Sequence, residues 1–282
     1  MKRLWLVVVA MILILVIGIG AYYVSTLFET NTESTTSTIQ PITMNRAVAY
    51  LTSNYDSKVG LIPETTNSTS YWVYSDGFLA ALALRQAGSS NSSLTAIADN
   101  VSATIQLYAP RLKGATNQYM ALSSGWSGPC GFDSTQSYVI AKWSNIEINV
   151  TLNNATGTLS DSNYADIAFL AAICHQHRGD YALALNDFNL GAKFFDGTGF
   201  ADRQFTGPGS ANPGQYQTYK LALYIYASKL LSQPASQAAM TNLLKMQASD
   251  GGFYTGYYPG LTHGNTTTNT ETTSLAILAL AD

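Results

Sequence analysis

The sequence predicts an all-α fold: a ring of alternating outer and inner helices, with a β-hairpin insertion and an N-terminal transmembrane helix. Three observations predict it. Four segments that are apolar on nearly every side alternate with four that are apolar on one face only. A turn with Asp, then Gly, then Leu or Phe recurs after three of the one-faced segments. A run from Leu4 to Val24 carries no charge and has the length that spans a bilayer.

In chain order, Met1-Lys2-Arg3 puts basic residues before the apolar run, which should hold that end inside and everything after it outside. A cleaved signal peptide is the alternative, although no clean small-x-small site follows Gly20-Ala21. Residues 1–28 are therefore an anchor or signal, and 29–40 (through ETNTESTTSTIQ) a Ser/Thr-rich tether. The ring domain is 41–282, and within it 109–160 form a loop and hairpin insertion.

Residues 41–54 read as a first outer helix with Ala47, Val48 and Leu51 as its stripe. Residues 76–87 (through GFLAALALRQ) are apolar almost all round and read as an inner helix closed by Gly88. An outer helix at 93–108 stops before Pro110. Gln136 to Trp143 and Glu147 to Leu152 alternate as strands around a Ser144-Asn145 turn. Inner helices come next at 164–178, 216–231 and 272–281, with outer helices at 181–195 and 234–248 between them. The turns are Asp56…Gly60-Leu61, Asp196…Gly199-Phe200 and Asp250…Gly252-Phe253, and Gly131-Phe132-Asp133 is a degenerate fourth. Such recurrence is the mark of a repeat architecture in which each helix pair buries its face against the next.

The segment Gln247-x-x-Asp250-Gly251-Gly252-Phe253 resembles the glutamine–glycine–aromatic turn of terpenoid cyclase and prenyltransferase repeats. With the alternating helices it makes the chain similar to an α/α toroid, the architecture of terpenoid cyclases and six-hairpin glycosidases. The pieces Tyr71-Trp72…Asp76, Tyr164-Ala165-Asp166, Tyr219-Lys220-Leu221-Ala222-Leu223 and Asn269-Thr270-Glu271-Thr272-Thr273 resemble a group of uncharacterised membrane-anchored archaeal surface proteins. The resemblance covers 41–282 and implies a fold rather than an activity.

Composition narrows the function. Charged residues are 11% of the chain and the net charge is −3, which gives no electrostatic case for nucleic acid. Sequons at Asn67, Asn91, Asn100, Asn149, Asn154 and Asn265 suit a glycosylated extracellular domain of a single-pass protein of the cell membrane. Cys130 and Cys174 are compatible with one disulfide or with two separate buried thiols. The acidic motifs that ionise isoprenoid diphosphates are absent, as are Walker, Rossmann and Gly-x-Ser-x-Gly motifs. Cys174-His175-x-His177 has metal-ligand residue types, but His175 points away from the other two, so no metal or cofactor is expected.

In a ring of alternating helices the inner N-termini converge at one end, where helix dipoles favour carboxylates or an anionic ligand. The first turns there carry Asp76, Asp166, Lys220 and Glu271. The leading expectation is a glycan-active protein, a glycoside hydrolase or polysaccharide lyase acting on a polysaccharide or surface glycan. As a hydrolase it would use Glu271 as proton donor and Asp76 or Asp166 to activate water. Trp72, Tyr74, Tyr164, Tyr216, Tyr219, Lys220, Asn269 and His263 would bind the sugar. As a lyase it would use Tyr219 or Tyr216 as base, with Lys220 neutralising a uronate. The alternative is a non-catalytic glycan-binding or envelope-structural domain. For each acid the plainer reading is a helix cap, and for Lys220 a buried pair with a carboxylate.

Overall fold

The computed structural model describes residues 40–66, 68, 71–89, 91–108, 117–143, 146–156, 163–207 and 212–281. The chain divides into two units, Met1–Ile42 and Thr43–Asp282. Apart from the first residues of the opening helix, the described elements lie in the second unit.

Helix α1 (40–53) is followed by strand β1 (Tyr71–Val73), α2 (Tyr74–Ala87) and α3 (Ser92–Tyr108). A 3-10 turn (Gln118–Leu122) leads to the long strands β2 (Gly131–Trp143) and β3 (Ile146–Thr156). Then come α4 (Ala165–His177), α5 (Tyr181–Ala192) and the short α6 (Arg203–Thr206). Strand β4 (Tyr216–Gln217) enters α7 (Thr218–Leu230), which is followed by α8 (Gln237–Lys245). Strands β5 (Phe253–Tyr254), β6 (Gly256–Tyr257) and β7 (Thr268–Asn269) precede the last helix, α9 (Thr270–Leu280).

The burial pattern separates two kinds of helix. Helix α9 buries Thr270 and every residue from Thr272 to Leu280, and α4 buries every residue from Ala165 to Cys174 except Ile167. Helix α3 instead buries Ala98, Val101 and Ile105, and α8 buries Ala239 and Leu243, which is one stripe at helical spacing. The fully buried helices are neighbours in the order α4–α7–α9–α2, and the 3-10 turn touches both α2 and α4 at the ends of that row. Helices α3 and α5 pack outside α2 and α4, and α8 packs against α7. Phe169, Phe188, Phe200 and Tyr224 form one aromatic group with ring centroids 5.2–5.9 Å apart, between α4, α5 and α7.

The Asp-Gly turns share one geometry. The Asp side chain accepts backbone N–H groups two or three residues on: Val59 and Lys58 for Asp56, Thr198 and Gly199 for Asp196, Gly252 for Asp250. Each turn is closed by a single bridge, Asp56–Leu61, Phe195–Phe200 or Gln247–Phe253. Each is also held by the next outer helix. Asn242 of α8 donates to Thr198 O at 2.9 Å, and Arg46 of α1 donates to Ala248 O at 2.7 Å. Gly60 faces Thr104 of α3 so closely that a Cβ there would fall 2.3 Å from its Oγ1. Outer helices α5, α8, α1 and α3 therefore succeed one another, each covering the turn of the one before.

The expected fold class is corrected. The chain is mostly helical, but no helix among the described residues is long and apolar enough to cross a membrane. The transmembrane helix expected within 1–28 and the tether to residue 39 lie outside the described residues. "All-α" is also too simple. Strands β2 and β3 run well beyond the expected hairpin, and β1 joins β3 in parallel to give a three-stranded sheet in the order β1-β3-β2. Tyr216 and Gln217 are strand, not the first turn of a helix, because they pair with Tyr257 and Gly256. Strand β7 pairs with β5, so three of the four fully buried helices are entered from a short extended segment. That pairing satisfies the backbone just outside each helix N-terminus and fixes the first turns in place.

Candidate functional site

Four helix N-termini and the 3-10 turn bring the predicted first-turn residues into one electrostatic neighbourhood. Asp76 lies in the first turn of α2, Asp166 in that of α4, Glu271 in that of α9, and Tyr219 and Lys220 open α7. None of the three acids caps its own helix. The cap of α9 is Asn269, whose Oδ1 accepts Thr272 N–H at 2.9 Å. The first N–H of α4, that of Ala165, is taken by Asp202 Oδ2 at 2.9 Å.

Lys220 is fully buried, and its ammonium needs compensation there. It donates to Asp202 Oδ2 at 2.5 Å and lies 3.5 Å from Asp166 Oδ1. Asp202 also caps α6 by accepting Gln204 N–H at 3.0 Å. Beside this pair, Tyr219 donates to Asp166 Oδ2 at 3.0 Å. The Lys220 ammonium sits 5.9 Å from the ring centres of both Tyr164 and Tyr219.

Glu271 is the other pole. The residue keeps some surface in water, while its carboxyl lies among Tyr119, Asp76, Asp166 and Glu64. Tyr119, on the 3-10 turn, donates its phenol to Glu271 Oε1 at 2.5 Å. Burial pushes the Glu271 carboxyl up to about 7; the negative charges of Glu64 and Asp166 push the same way, and the Tyr119 hydrogen bond opposes them. Asp76 is 2% exposed and its Oδ2 has no hydrogen-bond partner. Burial, then the charges of Glu271 and Glu64, hold its carboxyl well above the usual range. Burial and the nearby acids also raise the phenols of Tyr119 and Tyr219.

Glu64 reaches this group from the loop after α1. Thr270 N–H donates to Glu64 O at 2.8 Å and Thr270 Oγ1 to Pro63 O at 2.6 Å, so the loop is docked on the start of α9.

Several residues expected to bind substrate are engaged in the core, in turns or in caps, or stand exposed in a loop. Trp72 and Tyr74 are 1% and 6% exposed and belong to the core. Tyr216 donates to Asp196 at 2.6 Å and stacks on Phe205 at 4.3 Å, so it supports the second Asp-Gly turn. Asn269 is a helix cap. His263 is exposed in its loop and stacks on Tyr254 at 3.8 Å. Tyr164, Tyr219, Lys220 and the three acids remain together. Tyr119, Glu64 and Asp202 join them without having been singled out in the sequence. Asp202 had a readable signal, an Asp opening a short helix. Tyr119 lies where the helical pattern breaks, and Glu64 is one acid in a polar loop.

At the other end of α4, Cys130 and Cys174 form a disulfide with a Cα–Cα distance of 5.5 Å. His175 lies 3.7 Å from both Asp180 and Asp187. Among the described residues no group of three His, Cys, Asp or Glu side chains is arranged to hold a metal ion. Comparison of the chain with protein-family models, with curated proteins and with solved structures finds no match.

Proposed function

We propose that this protein hydrolyses glycosidic bonds at the N-terminal mouth of its inner helices. One observation carries the reading: a carboxyl pushed up to about 7, on Glu271, stands in the same group as Asp166. Hydrolysis of a glycoside needs one carboxyl that still holds a proton near neutral pH and a second that takes one. Glu271 donates its proton to the glycosidic oxygen as the bond to the anomeric carbon breaks. Asp166 accepts the proton of the water that attacks that carbon. Asp76 is the poorer base of the two expected, because burial favours its neutral form. Tyr164 and Tyr219, both half-buried, offer ring faces to a sugar.

The lyase reading has less support. Lys220 is buried and already engaged by Asp202 and Asp166, so it has no free charge for a uronate. Tyr216 is bound to Asp196, and the Tyr219 phenol is harder to ionise than usual. A binding domain without catalysis is the second reading. It is favoured by the fixed hydrogen bonds of Tyr119 and Tyr219, which pre-orient carboxylate oxygens for sugar hydroxyls.

We also propose that the protein works at the cell surface, outside the cytoplasm. The disulfide and the exposed sequons at Asn91, Asn100 and Asn265 support this. The deciding experiment is release of reducing ends from a panel of polysaccharides by the wild type and Glu271→Gln. Loss of cleavage with binding retained supports hydrolysis. Cleavage that survives the substitution removes Glu271 from the mechanism, and wild-type binding without cleavage leaves the binding domain.

A further inference from the structure

We infer that the last turns of α4 position Tyr119 on Glu271: the Cys130–Cys174 bond and the Arg178 guanidinium hold residues 118–130 as a strap, and the strap keeps the phenol within hydrogen-bonding reach of the carboxyl. The inference rests on the glycosidase reading for the role of Glu271, not for the geometry. It adds Arg178 and the disulfide to that site as positioning elements.

The strap behaves as one piece. It begins with the 3-10 turn (Gln118–Leu122), where Asn117 Oδ1 accepts Tyr119 N–H at 2.8 Å. Ser123 N–H donates to Met120 O at 3.1 Å, and Trp126 N–H to Ser123 O at 3.0 Å. The Trp126 indole donates to Pro129 O at 3.2 Å, and its ring lies so close to Gly128 that a Cβ there would fall 2.0 Å from it. Successive short turns thus link Tyr119 to Cys130, just before the chain enters β2.

Helix α4 holds this piece from one face. Cys174 is bonded to Cys130, and Arg178, one helical turn on, donates to Ser127 O at 2.8 Å and to Gly128 O. His177, three residues after Cys174, hydrogen-bonds the backbone of Leu122 at the end of the 3-10 turn. His175 turns the other way, toward Asp187 of α5. Cys174 and His177, which share metal-ligand residue types, therefore face the strap instead.

A five-residue 3-10 turn cannot fix a phenol by itself, because its hydrogen bonds are few and poorly aligned. Burial of Tyr119, Ala121 and Leu122 keeps the turn against the core, but apolar burial has no direction. The bond to Glu271, at 2.5 Å, weakens steeply with displacement or tilt. Its alignment therefore comes from the ties to α4. The covalent tie outranks the two exposed guanidinium–carbonyl bonds.

The test reads the Glu271 titration midpoint by carboxyl carbon NMR, assigned with Glu271→Gln, so it needs no substrate. Tyr119→Phe is expected to raise the midpoint above about 7 when the strap is intact. In a Cys130→Ser/Cys174→Ser background the same substitution should shift it by less than about a third as much, because the phenol has already left the carboxyl. Arg178→Ala, which keeps the disulfide, should reduce the Tyr119→Phe shift by about half. A shift of equal size in all three backgrounds overturns the inference, even if the cysteine variant is less stable, because a purely structural tie leaves the shift intact. No shift in the wild-type background also overturns it. If the cysteine variant loses its circular dichroism, the Arg178→Ala comparison decides alone, and an unchanged shift there overturns the inference. Glycan cleavage that survives Glu271→Gln sinks the glycosidase reading and leaves the strap standing.

Discussion

Tyr119 donates its phenolic proton to Glu271 Oε1 at 2.5 Å across 152 residues of sequence. The bond joins the 3-10 turn between α2 and α4 to the first turn of α9. It also opposes the burial that pushes the Glu271 carboxyl up, since it favours the ionised form.

Tyr119→Phe should therefore raise the Glu271 midpoint above about 7. If Glu271 is the proton donor, the alkaline limb of the pH–rate profile lies near that value and moves up in the variant. A pH–rate profile of both proteins checks it, and a limb that stays or falls contradicts the role given to the hydrogen bond.

Stability should also depend on Glu271. Its folded pKa lies above its ordinary value of 4.5, so the folded state holds the proton to higher pH than the unfolded chain does. Stability is full below about 4.5 and falls as pH rises through about 7. Asp76, raised by the same burial and by Glu271 and Glu64, adds to that fall. Urea midpoints measured from pH 4 to 8 should decline in the wild type and decline less in Glu271→Gln.

Lys220→Met leaves Asp202 buried without its counter-charge while Asp202 still holds the starts of α4 and α6. Breaking a buried pair in this way costs ~3–5 kcal/mol. The double variant Lys220→Met/Asp202→Asn should recover part of the loss, which chemical denaturation of the four proteins in the cycle would measure. Full additivity of the two single losses would argue against the pair.

The Cys130–Cys174 bond closes a loop with a sequence separation of 44. Loop-closure entropy for that length gives ~4 kcal/mol, with ~2–4 typical in practice. Denaturation with and without reductant should show a loss of that order. A Cys130→Ser/Cys174→Ser variant with unchanged stability would contradict it.

Two glycines should respond differently. Gly197 and Gly251 both have positive φ, at 96° and 93°. A Cβ at Gly197 meets open space, whereas one at Gly251 falls 2.4 Å from Arg46 O. Gly197→Ala should cost ~1–2 kcal/mol, the backbone term alone. Gly251→Ala should cost more, because it also pushes α1 away, and thermal unfolding would rank the two.

Much of this was legible in the sequence because helix burial is a local pattern. A segment such as Thr272 to Leu280, apolar with small polar residues throughout, can only be stable when surrounded, and it is. The Asp-Gly turns were legible for the same reason: Asp56, Asp196 and Asp250 bond to backbone two or three residues away. The extended entry segments were not. Tyr216 and Gln217 continue a helical pattern in sequence, and only pairing with β6 makes them strand. The sorting of aromatics also escaped, because nothing local distinguishes buried Trp72 from half-buried Tyr164.

The sequence by itself determined which helices are buried, where the turns fall, and that acids and a lysine occupy the first turns of the buried helices. Those properties come from periodicity and from hydrogen bonds within a few residues. Only the tertiary structure decided the partners. Lys220 is neutralised chiefly by Asp202, 18 residues away, and Glu271 is met by Tyr119 and Glu64 from two distant loops. A buried charge demands a partner wherever it lies, but which partner arrives depends on how the helices close around it.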